Sequence, residues 1–154
     1  MKVNVITDGS FKDEKAGYAF WISSPVGRFK KYGRLKNAKN STEAEMQAIA
    51  NALYFIRNHK DLWGISKITI QTDSEHSINM ITDPSNHLKG KKKRQENFRK
   101  IRGVITELIG KYNGVKSEYE FKHVKAHSGT DTKRKYVHDW CDKFAKKGRE
   151  LKIK

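Results

Sequence analysis

Val3-Asn4-Val5-Ile6-Thr7-Asp8-Gly9-Ser10 reads as a strand of alternating apolar residues that runs into an acid. A second stretch, Lys67-Ile68-Thr69-Ile70-Gln71-Thr72-Asp73-Ser74, repeats the pattern and ends in a matching Thr-Asp-Ser context. A carboxylate late in a buried strand is costly to desolvate unless something positive neutralises it. One such Asp is an ordinary turn residue or helix cap. Two of them, in a chain of net charge +16, suggest a cation between them.

The rest of the chain arranges itself around these two strands. Asp13 to Gly17 supplies a turn, Tyr18 to Ser23 a second strand, Ser24 to Gly27 another turn and Arg28 to Leu35 a third strand, an antiparallel meander. A helix is expected from Glu43 to Asn58, opened by a capping signature of Thr42 with Glu45. After the Lys67 strand come a short helix from Ser74 to Ile81, stopped by Asp83-Pro84, and a longer one from Gln95 to Ile109. In that longer helix Phe98, Ile101, Val104, Ile105 and Leu108 recur at helical spacing. A last strand, Glu118 to Lys125, precedes a last helix, Tyr136 to Lys147, with Gly148 as its stop. Right-handed crossovers place the Lys67 and Glu118 strands parallel to the first. The expected fold is α/β, a five-stranded mixed sheet of a three-strand meander plus two parallel strands, with covering helices. With no internal repeat or linker, residues 1–154 read as a single domain.

Thirty-three Lys and Arg against seventeen Asp and Glu favour a polyanionic partner, nucleic acid before anionic membrane. No apolar run approaches the roughly 20 residues of a membrane span, and no segment has the pattern of a membrane-surface helix. The N-terminus opens directly into a strand without a basic-then-apolar leader. The single cysteine, Cys141, fits a reducing, cytoplasmic setting. It sits on an apolar helical stripe with Val137, Trp140 and Phe144, which reads as core packing.

More acids aim at the same point. The helix from Glu43 has its apolar face at Ile49, Ala52, Leu53 and Ile56, and four residues back from Ile49 is Glu45. Glu45 therefore points toward the sheet, either as a capping carboxylate or as a ligand, whereas Glu43 groups with Gln47 and Tyr54 on a wetter face. Asp142 lies beside the apolar stripe of the last helix, a position open both to a ligand and to a solvated side chain. Four acids from two strands and two helices can thus meet at one pole of the sheet. Oxygen ligands without a Cys or His cluster select Mg²⁺ or Mn²⁺ over zinc, and in a basic protein they suggest two-metal phosphoryl chemistry.

Five motifs in register resemble the ribonuclease H type 1 family: Thr7-Asp8-Gly9-Ser10, Thr42-Glu43-Ala44-Glu45-Met46-Gln47-Ala48-Ile49, Gln71-Thr72-Asp73-Ser74, Val124-Lys125-Ala126-His127-Ser128-Gly129 and Cys141-Asp142-Lys143-Phe144-Ala145. The resemblance spans essentially the whole chain. It implies a ribonuclease H-like fold with helices on both faces, and metal-dependent endonucleolytic cutting of RNA paired to DNA. By resemblance Asp8 would bridge two Mg²⁺ ions, with Mn²⁺ a possible substitute. Asp142 would help hold the ion that activates water, and Glu45 and Asp73 the ion at the leaving 3′ oxygen. Products would carry a 5′-phosphate and a 3′-hydroxyl. His127 would shuttle protons or help product and metal depart. Two departures stand out: the segment Thr130 to Tyr136 is longer and more basic than the family's, and His138 stands where the family often has Asn.

Lys89, Lys91, Lys92, Lys93 and Arg94 match the family's basic protrusion and read either as a phosphate clamp on the DNA strand or as a solvated charge run. Phe98 beside it is expected to pack inward. Contacts to 2′-hydroxyls are expected near Asp8-Gly9-Ser10 and Asn40-Ser41-Thr42, although the latter three read equally well as loop and capping residues. The partner is then an RNA/DNA hybrid, and the protein a monomer with no membrane association. The alternatives are a non-catalytic nucleic-acid-binding module and a DNA-cutting nuclease on the same sheet. Four intact acids disfavour the first. The Thr-Asp-Gly-Ser start and the His127 loop disfavour the second.

Overall fold

The computed structural model describes residues 1–62, 64–83, 92–110, 118–124 and 132–152, with backbone alone at 92–95, 110 and 132. Three antiparallel strands open it: β1 (Lys2–Lys12), β2 (Lys15–Ser24) and β3 (Gly27–Leu35). Helix α1 (Ser41–Asn58) and a short 3-10 turn, Lys60–Leu62, lead to β4 (Lys67–Thr72). Helices α2 (Glu75–Thr82) and α3 (Lys92–Gly110), strand β5 (Glu118–His123) and helix α4 (Thr132–Arg149) complete the order. The sheet runs β3-β2-β1-β4-β5, with β4 parallel to both β1 and β5. The five-stranded mixed sheet is the one expected from the alternating pattern and the crossovers.

Side-chain alternation sends the strands' apolar residues to two faces. On one, Val3 and Val5 of β1, Phe20 and Ile22 of β2 and Ile68 and Ile70 of β4 meet Ile49, Leu53 and Ile56 of α1. Phe98, Ile105 and Leu108 of α3 close that core, so Phe98 does pack inward, while Val104 is half exposed. On the other face Ile6, Ala19 and Trp21 pack against Cys141 and Ala145 of α4. Cys141 is a fully buried thiol that donates to the Ile6 carbonyl at 3.6 Å, and burial pushes its pKa well up, so it is inert packing.

Several boundaries differ from expectation for local reasons. The first hairpin turns on Asp13 and Glu14 alone, both at positive φ (52° and 61°), with Lys12 opposite Lys15. That mirror-image turn geometry matches the strands' twist. Gly17, expected in the turn, lies within β2. A Cβ there would stand 2.2 Å from the Ala145 carbonyl oxygen, so glycine is what lets α4 lie on the sheet. Gly148 is likewise no stop signal. It sits inside the last turn of α4, where a Cβ would meet the Gly33 carbonyl oxygen at 2.3 Å. Helix α4 begins at Thr132 rather than Tyr136, so the basic segment that looked like extra loop forms its first turn.

The start of α1 is also a correction. The cap is Asn40, whose side chain accepts the Glu43 amide at 2.9 Å. Glu43 reaches back, accepting from the Lys39 amide at 3.3 Å and from Asn40 Nδ2 at 2.9 Å. This reciprocal arrangement is of the capping-box kind, two residues earlier than Thr42 with Glu45. It leaves Glu43 1% exposed, so Glu43 is not on the wetter face expected for it, where Tyr54 is 61% exposed.

Candidate active site

The parallel register sets Ile6 of β1 opposite Gln71 of β4, and two residues further along each strand stand Asp8 and Asp73. Asp8 still lies within β1, opposite Ala19 of β2, whereas Asp73 is the first residue past the end of β4. Helix α1 enters above them and presents Glu45 from its first turns. Its close approach depends on Gly9, where a Cβ would stand 2.4 Å from the Ala44 carbonyl carbon and 2.5 Å from the Glu45 amide nitrogen. Asp8, Glu45 and Asp73 each offer a carboxylate oxygen, and these oxygens all lie within 4.8 Å of one another. Among the described residues this is the group with ligand atoms close enough to share a metal ion.

The electrostatics of the trio are those of a site built for a cation. Asp8 is 8% and Glu45 9% exposed, and Asp73 lies nearer the rim. Burial raises the Asp8 carboxyl from 3.8 to about 7, aided by the charges of Asp73 and Asp142, while hydrogen bonds with Glu45 and the Gly9 amide pull the other way. Burial raises the Glu45 carboxyl well above its usual range, and the Asp8 charge, the shared hydrogen bond and Asp73 add to it. Glu45 Oε2 is buried with no hydrogen-bond partner, as is Thr7 Oγ1 of β1. A buried carboxylate oxygen without a donor is expensive, and a hard divalent ion is the partner that relieves it and the mutual repulsion together. The residues present fit such an ion.

Asp142 stands next to this group rather than inside it. Its charge is felt by Asp8, but its carboxylate accepts from Lys146 Nζ at 3.1 Å, one turn along α4. His127, Lys89 and Lys91 lie outside the described residues. Lys92, Lys93 and Arg94 are in the first turn of α3, and their side chains lie outside the description. Ser10 Oγ accepts from Arg149 Nη1 at 2.6 Å, which ties the end of α4 to β1. Asn40 is the α1 cap, with Ser41 exposed and Thr42 half-buried in the first turn beyond it.

Two supporting residues escaped the sequence reading. One is Glu43, although Asn40-Ser41-Thr42-Glu43 carries the cap-x-x-Glu spacing that marks it. The other is His123 at the end of β5, whose Nε2 lies 3.2 Å from the Asp73 carbonyl oxygen. No local signal announces that contact, because it joins residues brought together only by the parallel β4–β5 pairing.

The RNase H family model matches residues 1–150. Among solved structures the chain is similar to RNase H1 from the halophilic archaeon Halobacterium salinarum NRC-1, at TM-score 0.68 and 16% identity, covering 96% of this chain and 97% of that one. It is similar also to the N-terminal RNase H domain of Rv2228c from Mycobacterium tuberculosis, at TM-score 0.68 and 15% identity over 97% and 94% of the two chains. LC11-RNase H1, solved in complex with an RNA/DNA hybrid, aligns at TM-score 0.63 and 15% identity over 94% of this chain and 97% of its own. Identities this low establish the shared fold. No curated protein sequence matches. The family match over nearly the full length, on a sheet whose pole gathers Asp8, Glu45 and Asp73, places this chain in the RNase H family.

Proposed function

We propose that this protein is an endoribonuclease that hydrolyses the RNA strand of RNA/DNA hybrids with Mg²⁺, leaving 5′-phosphate and 3′-hydroxyl ends. The observation that carries this reading is the convergence of three carboxylate oxygens within 4.8 Å, one of the acids, Glu45, having an oxygen buried without a partner. A purely binding domain gains nothing from burying repelling acids, which cost stability unless a cation offsets them. Asp8, Glu45 and Asp73 would hold the metal, with Asp142 completing the set for a second ion. When bound, such dications supply positive charge at the scissile phosphate and a nucleophile from water near neutral pH.

The chain's own residues prepare that step. Asp8 and Glu45 would hold a metal as carboxylates, and the Gly9 amide favours the charged form of each. The capping clasp of Asn40 and Glu43 fixes the helix turn from which Glu45 projects. Beside it, a cavity of about 270 Å³ between α1 and α3 has a mainly apolar wall of Ala50, Ile101 and Val104, with Glu43 also lining it and Asn37, Gln47, Asn97 and Lys100 as the polar groups within reach of a backbone phosphate. Lys89 to Arg94 add charge for the DNA strand, and His127 is the group assigned to proton movement around the leaving product.

The test is a substrate panel: labelled RNA/DNA hybrid, double-stranded RNA, double-stranded DNA and single strands, each with Mg²⁺, Mn²⁺ or EDTA. Cutting confined to the RNA of the hybrid, and lost in EDTA, is expected. Cleavage of double-stranded DNA in preference, or an intact hybrid with metal present, overturns the proposal.

A further inference from the structure

The face of the molecule formed by β3 and α4 carries a second concentration of positive charge, interleaved with aromatic rings. Strand pairing puts Arg28, Lys30, Tyr32 and Arg34 of β3 on the side that α4 covers, and the sequence of β3 contains no acid. Along α4, Lys133, Tyr136, Trp140, Phe144 and Lys147 recur at helical spacing toward the same side. The acids of α4 are Asp139 and Asp142, the latter paired with Lys146.

The rings form a connected ladder. Trp21 of β2 meets Tyr136 and Trp140 edge-on at 6.0 and 5.5 Å, Trp140 stacks on Phe144 at 4.5 Å, and Phe144 contacts Tyr32 at 4.8 Å. Cations lie on this ladder: Lys30 Nζ is 4.9 Å from Trp21 and 5.5 Å from Trp140, and Lys147 Nζ is 4.8 Å from Phe144. At its upper end a cavity of about 330 Å³ opens between Trp21, Arg28, Lys133 and Tyr136. Tyr136 forms one wall with 63% of its surface in water.

A largely packed ring ladder that ends in the exposed Tyr136, with lysines seated on it and a cavity flanked by Arg28 and Lys133, suits a flexible polyanion whose units carry flat rings. We infer that the β3–α4 face is a binding track for single-stranded nucleic acid, with a base against Tyr136 and phosphates on Arg28 and Lys30. Stacking of this kind tolerates any sequence, because every base has a π-face. An anionic membrane would use the same charges but has no need of the cavity, and an acidic peptide has no base to stack. The track lies on the sheet face opposite α3, and binding to it needs neither a hybrid nor a metal, so it holds whether or not the hybrid is cut.

The experiment is fluorescence anisotropy of a labelled oligo(dT) of about 16 nucleotides, within the range one such site spans, with the full chain in EDTA over a salt series. Tyr136→Ala is expected to weaken binding about ten-fold, the loss of one stacked base, with Tyr136→Phe restoring it. Arg28→Gln with Lys30→Gln is expected to lower the log–log salt slope by roughly 1.4, two phosphate contacts on a single strand. Cleavage of a blunt hybrid by these variants is expected to stay at the wild-type rate. Wild-type affinity and slope in all three variants, with folding confirmed by circular dichroism, overturns the inference. So does equal binding of phosphatidylserine vesicles or polyglutamate with the same dependence on Tyr136.

Discussion

Asp8 and Glu45, one on a strand and one on a helix, bring carboxylate oxygens within 4.8 Å of each other in a setting that hides both carboxyls from water. Two acids in that contact cannot both carry charge cheaply. Burial favours the protonated form of both, and a bound cation favours the charged form.

That relationship sets a pH dependence whose sign is fixed. The Asp8 carboxyl titrates at about 7 in the folded chain against an ordinary 3.8, so between those values the folded state binds more protons than the unfolded. The favourable contribution is complete below 3.8 and is lost as pH rises through about 7. Thermal unfolding in EDTA should therefore show stability falling from pH 5 to pH 8, with a smaller fall in Asp8→Asn. Saturating Mg²⁺ should reverse the trend, because deprotonated acids bind it better. A metal-free protein whose stability rises over this range contradicts the shift.

Neighbouring glutamates should separate cleanly. Glu45→Gln is expected to remove hybrid cleavage while the protein stays folded, since it deletes a proposed ligand and relieves repulsion. Glu43→Gln is expected to keep most of the turnover but to cost about 1–2 kcal/mol of stability, because the clasp to Lys39 and Asn40 loses its charge. Denaturant unfolding alongside kinetics reads both. Inactive Glu43→Gln with active Glu45→Gln would place the ligand on the other residue.

Gly9→Ala tests how the helix is held over the strand. The added methyl would collide with the α1 backbone at Ala44 and Glu45, which no side-chain rotation relieves. A loss of about 3 kcal/mol or more is expected, with reduced turnover in the folded fraction because Glu45 moves with its helix. A variant with unchanged melting temperature and activity would show that the approach is looser than described.

The basic segment should affect binding and leave chemistry alone. Changing Lys91, Lys92, Lys93 and Arg94 to Ala should raise KM and flatten the salt dependence of hybrid binding, each lost phosphate contact removing roughly 0.7 to 0.9 from the log–log slope. Turnover at saturating substrate should change far less, because uniform binding acts equally on ground and transition states. Collapsed turnover with an unchanged slope would put the segment inside the active site.

Much of the fold was legible because period-two alternation in β1 and β4 and the helical spacing behind Glu45 are local signals tied to burial. The phase that placed Glu45 toward the sheet held for the same reason. It failed for Glu43, whose burial comes from the loop at Lys39 and Asn40 folding back over it and not from the apolar stripe. The first turn of α4 was missed because Lys133, Arg134 and Lys135 favour helix but leave no apolar rhythm to read. Gly17 and Gly148 look like turn and stop signals in sequence, and only the packed structure shows that they serve close contact between α4 and the sheet.

The most direct test of the central claim is the initial rate of hybrid cleavage in Mg²⁺ by wild type, Asp8→Asn and Asp73→Asn, with each variant's fold confirmed by circular dichroism. Wild type is expected to cut the RNA strand, and both variants to fall to the rate wild type shows in EDTA. Wild-type-like turnover by either folded variant would contradict the account, because the acids that converge within 4.8 Å would then not be the ones that hold the metal.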